Sequence, residues 1–234
     1  MIAPSVPILM YHRIARRRAD SLVADQYVSP GLFSKHLQVL RKEGYETVSL
    51  DQMLAFENGK RIVITFDDGY ESFYTAALPL LKQASMSATV FLVSSCIGKT
   101  NRWDEAKGDV TERLMSKEQI LDAARQGISF GGHSVTHPDL RFCDDAMAAR
   151  EISACRIDLQ EMLQIPIDWF CYPYGKHAER EHELAKNAGY KGACGTAKGG
   201  NTPSTNVYSL RRINVRASTF PAYLRHKLRS ATVL

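Results

Sequence analysis

What most constrains this chain is the alternation of two hydrophobic periods. Short apolar, strand-like runs at residues 7–11, 46–50, 61–66, 88–93, 128–132, 168–172, 191–194 and 212–215 are separated by stretches with helical spacing. Ser29-Pro30 places an N-cap and a first-turn proline ahead of Leu32, Phe33, His36, Leu37 and Leu40, which recur on one helical face. Asp144-Asp145 opens a longer helix with the stripe Ala149, Ile152, Arg156, Leu159 and Leu163, imperfect at the arginine. Strands alternating with helices specify a parallel sheet with the helices outside it. The expectation is an α/β fold, a (β/α) barrel with its active residues at the C-terminal strand ends. The length of 234 residues, 44% hydrophobic and 24% charged, suits one such barrel. No internal repeat or low-complexity linker marks a boundary, so one catalytic domain over 1–234 is expected.

Thr65-Phe66-Asp67-Asp68-Gly69 sets two adjacent carboxylates at the end of the 61–66 run, where the glycine permits a sharp turn. Neighbouring residues at a strand end point in different directions, so one aspartate can hold a metal ion while the other faces a substrate. Alone, such a pair is common in loops. His133-Ser134-Val135-Thr136-His137-Pro138 adds a His-x3-His pair at metal-ligand spacing, again behind a short apolar run. Two imidazoles and one carboxylate leave a coordination position open, the arrangement of a catalytic rather than a structural zinc. A second carboxylate, not consumed as a ligand, can take a proton from an attacking water. Two aspartates so close to a cation stay ionised, because its charge outweighs their mutual repulsion.

Together with Tyr172-Pro173-Tyr174-Gly175, these segments resemble the polysaccharide deacetylase family, carbohydrate esterase family 4, in order and spacing. The resemblance runs from about Ile8 to Val215. It implies a distorted (β/α) barrel with about seven parallel strands and metal-dependent removal of acetyl groups, usually from N-acetylated sugars. Carried over by position, Asp67 resembles the general base, and Asp68, His133 and His137 the metal ligands. Tyr174 stands where the family's tyrosine offers its backbone N–H to the oxyanion. One divalent ion is implied, zinc first, with cobalt, nickel, iron or manganese as alternatives.

Two departures concern the remaining groups. Most members carry a late Leu-x-His motif, but Leu210-Arg211-Arg212-Ile213-Asn214-Val215 has no histidine. The N-terminal run instead ends Met10-Tyr11-His12, resembling the circularly permuted branch typified by poly-N-acetylglucosamine deacetylases. First and last strands of a closed barrel are neighbours, so the move leaves the histidine in the same place. His12 is therefore expected to be the general acid, against the plainer reading of a hydrogen-bonded barrel-end histidine. Cys171 stands where many members have an arginine that orders the catalytic aspartate. Arg212 is a candidate replacement or an ordinary surface charge. Cys171 itself reads as a small buried thiol, since no histidine adjoins it in sequence to form a thiolate.

Residues 95–114 form the longest interval without clear periodicity, and loops of that length over a barrel mouth often serve function. Trp103 is expected to stack on a sugar ring, with Asp104 and Asn101 at its hydroxyls. Tyr172, Pro173 and Arg212 are counted with Trp103 and Asp104 as substrate contacts. The net charge of +5 is modest, and nothing resembles a nucleic-acid module. Arg16-Arg17-Arg18 is placed near the mouth, where it would attract a phosphate or an acidic glycan. Residues 220–228 alternate apolar and basic side chains, which fits peripheral membrane contact or a terminal helix on the barrel. Five cysteines without Cys-x-x-Cys spacing argue against a disulfide framework. With no basic leader before the first strand, they suggest a cytoplasmic protein, for which a nucleotide- or lipid-linked sugar is the natural substrate. The expected activity is N-deacetylation. An O-acetyl esterase, a deformylase or another amide hydrolase would use the same site. A non-catalytic glycan-binding protein is the alternative of another class.

Overall fold

The computed structural model describes residues 5–232. Its parallel strands are β1 (Val6–Tyr11), β2 (Arg61–Phe66), β3 (Thr89–Leu92), β4 (Ser129–Gly132), β5 (Trp169–Cys171), β6 (Gly192–Cys194) and β7 (Ile213–Asn214). Neighbours pair in sequence order from β1 to β6, with Ile8 opposite Val63, Thr65 opposite Thr89 and Leu92 opposite Gly132. Leu210 bridges Cys194, and Ile213 lies opposite Leu9, so the last strand stands between the sixth and the first. This is the expected distorted (β/α) barrel with seven parallel strands. The distortion is local: Gly200–Asn201 pairs antiparallel with the start of β1, so β7 reaches only its upper half.

The outer layer comprises α1 (Pro30–Lys42), α2 (Leu78–Ala84), α3 (Lys117–Arg125), α4 (Asp145–Leu163), α5 (Glu179–Asn187) and α6 (Pro221–Thr232). Both expected N-caps form: Ser29 Oγ accepts from Leu32 N, and Asp144 Oδ1 from Met147 N at 2.8 Å. On α4 the buried stripe is Ala148, Glu151, Ile152, Cys155, Leu159 and Leu163, shifted from the expected one. Arg156 sits at its edge, donating from Nε to Ile167 O. The run at 46–50 gives only a two-residue strand, Glu46–Thr47, paired with Arg61 and Ile62. Ser49 and Gln52 form a capping box that turns the chain into the one-turn helix Leu50–Met53.

Period-two alternation sorts the strand residues into two layers. Ile8, Val63, Phe91, Trp169, Cys171 and Cys194 meet in one cluster, the filled barrel interior. Leu9, Ile64, Val90 and Phe170 belong to the larger cluster, against Leu37, Leu81, Ile152 and Leu159 of the helices. The inward phase continues off the strand ends as Met10 to His12 and as Thr65 to Asp67. On α6, Leu224 and Leu228 are buried in the helix–barrel layer, while Tyr223 and, just ahead of the helix, Phe220 are exposed. Among the described residues no helix is long and apolar enough to cross a membrane.

Candidate active site

Asp67 and Asp68 follow β2 directly, and the backbone N–H of Asp67 still donates to Tyr11 O at 2.9 Å. That bond extends the β1–β2 ladder by one step and sets His12 beside Asp67. Asp68 then turns left-handed at φ 73°, followed by Gly69 at φ 74°. A Cβ on Gly69 would lie 2.8 Å from the Leu92 side chain, so this turn needs glycine on two grounds. The turn separates the two carboxylates as the pattern required.

Asp68 Oδ1 lies 3.3 Å from Nε2 of both His133 and His137, and all three side chains are buried. His133 Nδ1 donates to Cys171 O at 2.6 Å, so in the neutral ring the Nε2 lone pair faces the carboxylate oxygen. Lone pair against carboxylate is repulsive unless a positive charge stands between them. Burial opposes an imidazolium at His133, yet Cys171, Asp68 and Asp67 raise its pKa well above the ordinary value. The pocket therefore attracts positive charge. Two imidazole nitrogens and one carboxylate oxygen suit a divalent cation. A second group, Asp67, His133 and Cys171, is also close enough to share an ion. It is the poorer cage, because burial keeps the Cys171 thiol protonated and Arg212 occupies both oxygens of Asp67.

The loop between the two histidines is strained, with Ser134 at φ 66° and His137 at φ 64°. Ser134 Oγ accepts from His137 N at 2.9 Å. From α4, the buried Glu151 accepts from Val135 N at 2.9 Å, Thr136 N at 2.8 Å and Thr136 Oγ1 at 2.7 Å. Glu151, which supports the histidine loop, is a part of the site that sequence reasoning missed. Its signal was an acidic residue on the apolar stripe of an amphipathic helix.

Arg212 lies wholly beneath Asp67. It donates to Oδ1 at 2.7 Å and Oδ2 at 2.8 Å, and also to Thr65 Oγ1, Gly195 O and Cys171 Sγ. All five N–H groups are thus used, which makes this buried pair tolerable. Burial pushes the Asp67 pKa up, but Arg212 outweighs it and holds the carboxyl below its usual range. The assignment of Arg212 as a substrate contact is corrected: it is fully buried, and its fork is already filled by Asp67 and its neighbours. From the residue just before β7 it supplies the support for Asp67 that was expected of an arginine at Cys171.

His12 is half-buried, and its Nδ1 has no partner among the described residues. Burial lowers its pKa, against the pull of Asp68 and Asp67. Tyr174 is held left-handed at φ 57°, and its backbone N–H has no partner among the described residues. Its hydroxyl accepts from Lys107 Nζ at 2.6 Å, and its ring meets His137 edge-on at 4.7 Å. Tyr172 and Pro173 are corrected as substrate contacts: both are buried, and Tyr172 Oη donates to Tyr208 O. They shape the turn that presents Tyr174.

Asp67, Asp68, His12, His133, His137 and Tyr174 open on one cleft of about 1030 Å³. Trp103 and Asp104 line it too, but their side chains are largely engaged. Trp103 stacks on His137 with ring centres 4.7 Å apart. Asp104 accepts from Arg13 at 3.1 Å, Tyr70 at 3.2 Å and Asn101 at 3.3 Å. Asn101 is completely buried, bonded to Val110 O and Glu112 N, and does not reach the cleft. Arg16, Arg17 and Arg18 are exposed and lie outside the cleft lining.

Comparison with known proteins agrees with this geometry. The YxkH protein of Bacillus subtilis (strain 168) is 27% identical over 229 residues, spanning 94% of this chain and 76% of its own. The poly-beta-1,6-N-acetyl-D-glucosamine N-deacetylase of Staphylococcus aureus (strain MSSA476) is 23% identical over 240 residues, spanning 91% and 79%. The solved structure of the Streptococcus pyogenes deacetylase PplD in complex with acetate is 25% identical. It superimposes with a TM-score of 0.82 over 97% of this chain and 99% of that one. The family model for polysaccharide deacetylase matches residues 56–193, well over half the chain and including both the aspartate pair and the histidine pair. The chain belongs to the polysaccharide deacetylase family.

Proposed function

We propose that this protein hydrolyses the acetamide of an N-acetylated sugar, using Asp67 as base, His12 as acid and a divalent ion held by Asp68, His133 and His137. The observation that carries the assignment is the division of labour between adjacent carboxylates. Asp68 faces two imidazoles, whereas Asp67 is clamped by Arg212, ionised and excluded from the ligand set. When bound, the cation would polarise the acetyl carbonyl and make water easier to deprotonate. Asp67 takes the proton of the attacking water. The partnerless Tyr174 N–H donates to the oxygen that gains charge in the tetrahedral transition state. His12, beside Asp67 at the end of β1, gives its proton to the departing amine.

Zinc is the preferred metal in this reading, since two imidazoles and one carboxylate form one of its open catalytic sets. Elemental analysis after reconstitution with zinc, cobalt, nickel, iron or manganese tests the choice. One tightly held ion per chain is expected, lost in His133→Ala together with acetate release from an N-acetylated oligosaccharide. Full metal content in that variant would refute the ligand assignment. Amide and ester substrates assayed side by side separate an N-deacetylase from an O-acetyl esterase. We place the protein in the cytoplasm because all five cysteines are free and buried. Recovery outside the cytoplasm on fractionation would remove that reading.

A further inference from the structure

Beyond the catalytic groups the cleft continues alongside α6, where Tyr223, His226, Lys227 and Ser230 line it with Lys198 and Arg216. The carboxylates lining the cleft are Asp67, Asp68, Asp104 and Asp109, all on the β2 side and the 101–109 segment. The α6 arm is therefore lined by cations without a lining carboxylate. Arg216 has one acidic partner, Asp25, at 2.5 Å. Lys198 and Lys227 have none among the described residues.

Lys227 is the informative member. It is half-buried, and Nζ donates to Asn214 O at 2.6 Å. Lys198 and Arg216 line the same arm of the cleft, and burial, Arg216 and Lys198 together lower the Lys227 pKa, so Lys227 stands within reach of both neighbouring charges. Half-burying a cation beside two like charges is unfavourable, and the Asn214 carbonyl and the Tyr223 ring, 4.8 Å from Nζ, offset that cost without neutralising the charge as an anion would. An ordinary basic helix face directs such side chains to solvent or pairs them, as Arg225 pairs with Glu43 at 2.9 Å. Asn214 also lines this arm, and its Oδ1 is buried without a partner among the described residues, an acceptor left for an N–H or O–H. The arm is near the chemistry. Asn214 lies opposite Met10, and His12 is two residues further, about 7 Å along the strand. That is within reach of one sugar phosphate.

We propose that Lys198, Arg216 and Lys227 bind a phosphate attached to the N-acetylated sugar, so that the substrate class is a phosphorylated or phosphate-linked N-acetylhexosamine rather than a neutral glycan. The inference rests on the deacetylase reading above for where the acetamide sits. Three converging cations suit a dianionic phosphate better than a single carboxylate.

Calorimetric titration of the zinc-loaded protein with N-acetylglucosamine, its 1-phosphate and the uridine diphosphate sugar tests this. The 1-phosphate is expected to bind about tenfold or more tightly than the neutral sugar. The paired substitution Lys198→Gln with Lys227→Gln should remove most of that preference, leave neutral-sugar affinity unchanged, and preserve the circular dichroism spectrum. Lys227→Arg should retain the preference. A further gain with the nucleotide sugar would identify a nucleotide-linked source, and equal affinity a phosphate borne by another carrier. Equal binding of neutral and phosphorylated sugars overturns the proposal. So does a preference that survives the paired substitution, because the phosphate would then be held at the metal site. Acetate release, measured on the same samples, reports separately on the deacetylase reading: its absence with every sugar would refute that reading, while the binding comparison still decides this one.

Discussion

Two buried arginine–aspartate pairs flank the cleft, and they are built differently. Arg212 and Asp67 meet through two short bonds, and every N–H of the guanidinium is matched. Arg13 is 1% exposed, yet it reaches Asp104 through a single nitrogen, while its Nε has no partner among the described residues. Its other bonds go to Gln26 and Tyr70. Both aspartates face the cleft, but Asp104 is 13% exposed at its side chain against 5% for Asp67. A fork-to-fork pair fixes orientation and charge together, which the base proposed at Asp67 would require. A single-point contact fixes only position, and suits anchoring the 95–114 segment that carries Trp103 to the barrel. The same two residue types therefore fix a carboxylate's orientation and charge in one place and hold a loop in the other.

The largest effects should separate the two aspartates. Asp67→Asn is expected to lower kcat/KM by about a thousandfold while metal content stays at one ion per chain. Asp104→Asn should leave kcat within a few-fold and act mainly on KM; equal losses of kcat in both variants would break the contrast. Next come the arginines. Arg212→Met leaves Asp67 buried without its counter-charge, and should cost about 3–5 kcal/mol in urea unfolding. Arg13→Met should cost less, about 1–3 kcal/mol, because Asp104 keeps two neutral donors and some access to water.

Glu151 sharpens the comparison as a buried acid that three hydrogen bonds satisfy with no arginine involved. Glu151→Gln removes the charge faced by the Val135 and Thr136 N–H groups and turns an N–H₂ towards Thr136 Oγ1, and should weaken metal affinity by about 10-fold in chelator competition. Unchanged affinity would show that the histidine loop holds its strained shape unaided. The smallest effect is expected at Trp103, whose ring contact with His137 corresponds to about 0.5–1.5 kcal/mol. Trp103→Ala should raise KM by a few-fold, and an unaltered KM would remove the residue from the substrate path.

Much of this was legible in one dimension. The period-two runs and the capped amphipathic helices specify the barrel because both patterns are local, and strand ends follow from where the runs stop. Asp67, Asp68, His12 and His133 could be singled out because they follow directly on such runs, and His137 by its four-residue spacing from His133. The 46–50 run misled because a capping box outcompeted strand propensity at Ser49. Trp103 and Asp104 were placed at the mouth, but the loop's own bonds consume much of what they could offer a sugar.

What the chain determined by itself is the ring of strands and the types of group delivered to its upper rim, since periodicity, glycine turns and short spacings act within a few residues. What only the tertiary structure decided is which groups complete one another. Arg212 stands 145 residues from Asp67 and meets it because β7 closes the ring against β1. Glu151 reaches the histidine loop because α4 lies against it, and Lys227 joins Lys198 and Arg216 because α6 folds back beside β7. Charge pairing and desolvation act through space, and their partners are set by closure of the barrel rather than by neighbours along the chain.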